Sequence, residues 1–113
     1  YPAAMARRIH ELCRHLVDRY DGDARRIWHR ARSGQVVFER LMALPGFGPE
    51  KSQITLAVLA KRMGRTVSGW EALAGPFSDD QPRSVADVGS ASDLARLRER
   101  RRELKISGKT KTD

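Results

Sequence analysis

The chain has 113 residues and carries 22 Lys and Arg against 14 Asp and Glu, a net charge of +8 with a pI of about 10.5. That length suits one domain rather than two, and 40% hydrophobic content suffices for a modest core, which excludes wholesale disorder. No apolar run approaches the roughly 18 residues that a bilayer span needs, one cysteine excludes an intramolecular disulfide, and the positive excess favours a polyanionic partner, nucleic acid before membrane.

The chain opens at Tyr1, already in helix-like text, so further residues are expected upstream. Residues 3–20 read as an amphipathic helix. Met5, Ile9, Leu12, Cys13, Leu16, Val17 and Tyr20 fall on one face, expected to turn inward with Cys13 as a core thiol. Gly22 suits the end of that helix, and Asp23 can cap a short helix over 24–31. Ser33 and Gly34 interrupt. A third helix is predicted over 35–43, with Val37, Leu41 and Leu44 repeating toward the core, and Pro45 stops it. A fourth is predicted over 49–63, with Pro49 in the first turn, where its missing N–H is harmless, and Gly64 at its end. Past its first turn it is nearly apolar all round, as a central helix is. Residues 65–90 are broken by Gly69, Gly75, Pro76, Pro82 and Gly89, with a short helix around 70–74. Ser90 and Asp93 have capping-box spacing and open a last helix to about Lys105, with a thin apolar stripe of Leu94, Leu97 and Leu104. The expectation is all-α, with about five to six helices in one domain over 1–106, monomeric, followed by a flexible basic tail over 107–113.

The segment Leu44-Pro45-Gly46-Phe47-Gly48 joins the third and fourth helices. Gly46 and Gly48 have no Cβ, so the backbone can take left-handed angles and approach a ligand closely. The first N–H groups of the following helix are unpaired and carry the positive end of its dipole. Together they make an anion site that reads no sequence. Phe47 is expected to point inward and lock the turn. Lys51 and Ser52 are placed beside the phosphate, with Ser52 small where the helices cross. A purely structural αα-hairpin with a glycine turn is the alternative.

These residues resemble a helix-hairpin-helix (HhH) DNA-binding motif: Leu41, Leu44, Gly46, Phe47, Gly48, Ser52 and Leu56 stand where that motif takes apolar, glycine or small residues. The helix before the motif, "LPGFG" and the length of the helix after it are similar to the HhH-GPD family of base-excision DNA glycosylases. "RSVADV" (83–88) and the basic last helix resemble small members of that family. The resemblance covers most of this chain but only the C-terminal half or two-thirds of such a protein. It implies an all-α fold, duplex DNA as partner, a damaged base flipped into a cleft between two helical parts, and a cytoplasmic, nucleoid-associated setting. It implies no cofactor and no metal.

Members that also cut the backbone place a Schiff-base lysine two residues after the second glycine; Glu50 stands there, with Lys51 about 100° further round the helix, which argues against lyase chemistry. The family's catalytic aspartate falls about 20 residues after that glycine. The window here holds Thr66, Val67, Ser68 and Gly69, and the nearest acid is Glu71. Glu71 is therefore the candidate catalytic acid, against a solvated or capping glutamate, and Asp79, Asp80 and Asp87 rank below it as turn and cap residues. Activity is left open. The alternatives are a non-catalytic nucleic-acid-binding module and a structural helical protein-interaction domain.

His10 and His15 in "HELCRH" are one residue too far apart for a zinc-protease pair, about 140° round a helix. His29 stands alone. Trp28 and Trp70 can stack on a base or pack in the core. Arg96 to Asp113 holds eight Lys and Arg against three acids. Within it Arg98, Arg101, Arg102 and Lys105, with Arg96 and Arg100, are candidate secondary phosphate contacts, against a solvated face shared with Glu99 and Glu103.

Overall fold

The structure is a computed structural model that describes residues 2–113, and it is all-helical, with no strand among those residues. Its α-helices are α1 (Pro2–Tyr20), α2 (Gly34–Met42), α3 (Pro49–Met63), α4 (Trp70–Ala74) and α5 (Ala91–Ile106). Single 3₁₀ turns lie at Ala24–Ile27, Gly75–Ser78 and Val85–Asp87.

α3 is the central element, packing against α2, α4 and both later 3₁₀ turns. Its residues serve two apolar clusters. Leu56 and Leu59 join Ile27, Val37, Leu41 and Leu44, while Ala57 joins Ala74, Phe77 and Ala86. Trp70 borders both. Each fully buried Leu or Phe contributes about 1.5–3 kcal/mol of transfer free energy, so these few side chains carry much of the stability.

Local chemistry sets the helix ends. Ser33 Oγ accepts the Val36 N–H at the start of α2, and Ser90 Oγ accepts the Asp93 N–H at the start of α5. Gly34 does more than interrupt the chain. Its N–H donates to Ser68 O at 2.7 Å, and an added Cβ would lie 2.9 Å from that carbonyl oxygen. Only glycine lets the 68–70 loop close onto the beginning of α2.

Four expectations are corrected. The helix expected over 24–31 is one 3₁₀ turn: Asp23 caps it by accepting the Arg25 N–H, but Arg30 takes a left-handed φ of 56° and ends any continuation. The apolar face of α1 is not buried. Only Leu12, Leu16 and Tyr20 pack on the core, because α1 rests mainly against the Ala24–Ile27 turn near its own C-terminus. Met5, Ile9 and Val17 are 55%, 54% and 61% exposed, and Cys13 is an exposed thiol rather than a core one. In α5, Leu97 and Leu104 are buried but Leu94 is exposed. Residues 107–113, expected as a flexible tail, fold back: Arg83 Nη1 donates to Lys111 O and Asp113 O, and Lys111 pairs with Glu50 at 2.5 Å.

Candidate functional site

The α2–turn–α3 unit forms as the sequence implies. Pro45 follows the last turn of α2, Phe47 N–H donates to Leu44 O at 3.0 Å, and Gly46 takes a φ of 82°, a conformation costly for any residue with a Cβ. Phe47 is half-buried against the main cluster and anchors the turn. Its N–H is therefore committed within the protein.

Gly48 is the N-cap of α3, with φ −99° and ψ −174°, extended backbone that any residue adopts. An added Cβ there would meet nothing within 4 Å. Nothing inside the protein requires glycine at this position.

The turn leaves a cluster of donors unused. Pro49 has no N–H, and the Ser52 N–H is bonded to Gly48 O at 3.0 Å. The N–H groups of Gly46, Gly48, Glu50 and Lys51 meet no acceptor among the described residues. Those of Gly48, Glu50 and Lys51 lie at the N-terminus of a 15-residue helix, where the dipole is positive, and that of Gly46 lies in the turn before it. The Lys51 ammonium folds back over the same turn, donating to Gly46 O at 3.2 Å and lying 5.4 Å from the Phe47 ring centroid. It offsets the negative end of that carbonyl, which would repel an anion there, and it remains exposed.

Ser52 is corrected. It is fully buried and its hydroxyl has no hydrogen-bond partner, so it does not reach a phosphate and acts only as the small residue in the packed face of α3. Glu50 is exposed, and its carboxylate is engaged by Lys111.

Glu71 lies in the first turn of α4, exposed and without a side-chain partner among the described residues. α4 follows the 68–70 loop that closes on Gly34, at the opposite end of α2 from the glycine turn. Glu71 stands two residues before Leu73, whose carbonyl oxygen accepts from Gln53 Nε2 near the start of α3 at 3.1 Å, and it lines none of the clefts named below. Asp79 and Asp87 are structural. Asp79 accepts from Arg83 Nε and Nη2, which holds its carboxyl below the usual range. Asp87 accepts the Arg83 and Ser84 N–H groups and pairs with Lys61 at 2.6 Å.

Arg98, Arg101 and Lys105 are exposed and unpaired among the described residues, whereas Arg102 is engaged by Glu99 at 2.9 Å. The start of α5 adjoins Gly89, on which the Arg62 guanidinium rests, and its tail reaches Glu50. At the C-terminal end of α3, Trp28, His29 and Arg65 edge two adjoining clefts of about 280 and 270 Å³. Trp28 is half-buried there, and Trp70 is half-buried between the two core clusters. There too, Arg25 forms a two-point ion pair with Asp23 and lowers its carboxyl to about 2.

Sequence reasoning missed the role of Arg83, whose guanidinium joins Asp79 to the tail carbonyls. No local pattern signals a contact spanning 28 residues. Comparison with protein-family models, with curated proteins and with solved structures gave no match to this chain.

Proposed function

We propose that the protein binds duplex DNA through its sugar–phosphate backbone, without reading sequence, at the glycine turn of a helix-hairpin-helix unit. One observation carries this reading: the N–H groups of Gly46, Gly48, Glu50 and Lys51, in the turn and the first turn of α3, meet no acceptor among the described residues, and the space beside Gly48 is open. A phosphate oxygen satisfies such donors at a helix N-terminus, where the dipole favours negative charge. Gly48 supports the reading independently, since its missing side chain serves no internal purpose and leaves room for a close external approach. The net charge of +8 supplies the long-range attraction.

The resemblance to base-excision glycosylases supplies the biological setting of this proposal, a protein that grips duplex DNA during repair. Glu71 is exposed and lines none of the clefts, and Asp79 and Asp87 are committed to Arg83 and Lys61.

Binding of an undamaged duplex of about 20 base pairs, followed by fluorescence anisotropy over a salt series, tests the reading. Affinity is expected to fall linearly in log–log form with a slope of several units, and Gly48→Leu is expected to remove binding while the protein stays folded. Retention of wild-type affinity by that variant would overturn the assignment of the turn.

A further inference from the structure

A second feature adjoins the turn and rests on the reading just given. α3, the Val85–Asp87 turn and the folded-back tail enclose a groove of about 400 Å³. Ile54, Val58 and the exposed Val85 make an apolar floor, and Lys51 and Lys111 stand at its rim with Glu50. It begins in the first turn of α3, beside the unused N–H groups, and follows the helix for about two turns.

The groove is assembled rather than incidental. Arg83 is largely buried and held on Asp79 through Nε and Nη2, which leaves Nη1 to donate to Lys111 O at 3.0 Å and Asp113 O at 2.7 Å. That clasp delivers the Lys111 ammonium to Glu50. Glu50 is the one acid in the first turn of α3, and unmasked it would repel a phosphate arriving at the turn. With Lys111 upon it, the mouth of the groove carries Lys51 and a neutralised pair.

We infer that this groove is a second backbone subsite, taking the sugar–phosphate unit next to the phosphate held at the glycine turn. Its apolar floor faces the deoxyribose, and Lys111 both masks Glu50 and faces the neighbouring phosphate. Such contacts fix register and carry no sequence information. The tail is then part of the interface, and Arg83 is a positioning residue that acts through it.

The test uses the full chain and the same undamaged duplex. Lys111→Ala truncates a half-buried side chain whose one ion pair is with Glu50 and leaves every backbone contact of the tail in place. It is expected to weaken binding about three- to tenfold at low salt and to lower the salt slope by about 1, the loss of one phosphate contact. Val85→Glu, an exposed substitution, is expected to weaken binding comparably by placing charge on the floor. Adding Glu50→Gln to Lys111→Ala is expected to restore part of the affinity while leaving the slope reduced, because repulsion is removed without replacing the contact. Arg83→Ala should mimic Lys111→Ala, with circular dichroism and urea unfolding reporting any structural loss separately. If Gly48→Leu abolishes binding while Lys111→Ala and Val85→Glu match wild type in affinity and slope, the groove is not a subsite and the turn stands alone. Weakened binding by Lys111→Ala with an unchanged slope also overturns the inference. A wild-type protein that fails to bind the duplex overturns the glycine-turn reading itself and this inference with it.

Discussion

The Lys61 ammonium lies 2.6 Å from the Asp87 carboxylate, 26 residues away in sequence, and donates also to Asp79 O at 2.5 Å. Both side chains are largely buried, at 17% and 10% exposure. One lysine of the central helix thus fastens the whole 79–87 loop. Removing one partner strands the other charge in a poorly solvated place. Lys61→Ala is expected to lower unfolding free energy by about 2–4 kcal/mol in urea titration. A loss below about 0.5 kcal/mol would show that the pair does not hold the loop.

The two glycines of the turn are expected to behave oppositely. Gly46 holds a φ of 82°, so Gly46→Ala should cost about 1–2 kcal/mol of stability through backbone strain. Gly48 is unstrained and unobstructed, so Gly48→Leu should cost no more than about 1 kcal/mol, the scale of a helix-cap change, while removing the DNA binding proposed for the turn. Parallel denaturation and anisotropy on both variants separate the roles.

Ser52 buries a hydroxyl with no partner. Ser52→Ala deletes that unsatisfied group, and unfolding free energy should stay level or rise by up to about 1 kcal/mol. DNA affinity should not change, since the residue has no exposed atom with which to meet a ligand. A clear drop in affinity in this variant would return Ser52 to the interface.

Apolar residues of similar size should differ sharply in cost. Phe77 and Leu56 are completely buried, so truncation to Ala should cost about 3–5 and 2–5 kcal/mol respectively. Ile9 stands on the open face of α1, and Ile9→Ala should remain within about 0.5 kcal/mol of wild type by thermal unfolding. A large loss at Ile9 would mean that something covers that face in solution.

Acid should weaken the fold through specific carboxylates. Arg25 lowers Asp23 to about 2, Arg83 lowers Asp79, and the Gly89 N–H lowers Asp93. Each folded-state value lies below the unfolded one, so the unfolded chain takes up protons first. The stabilisation is complete above the usual carboxylate value and is lost as pH falls through the folded value. The melting temperature is therefore expected to be level near neutrality and to fall between about pH 4 and pH 2. Asp79→Asn should blunt that fall and also free the tail, since it removes the carboxylate that holds Arg83. A profile unchanged in Asp79→Asn would exclude Asp79 as a contributor.

Sequence by itself determined those features that one segment can specify. The 3.6-residue period, Ser33, Pro49, Ser90 and the glycine breaks decide where helices begin and end, because each cap or turn is closed by atoms a few residues away. The glycine turn was legible for the same reason, since its unused N–H groups follow from a proline, two glycines and a helix start. Only the tertiary structure decided which apolar faces are covered. α1 has as good a stripe as α2, but burial needs a neighbour, and the body of the protein reaches only Leu12, Leu16 and Tyr20. The same holds for charge. That Lys61 belongs to Asp87, Arg83 to the tail and Lys111 to Glu50 depends on segments 26, 28 and 61 residues apart meeting in space, and no local pattern encodes such distances.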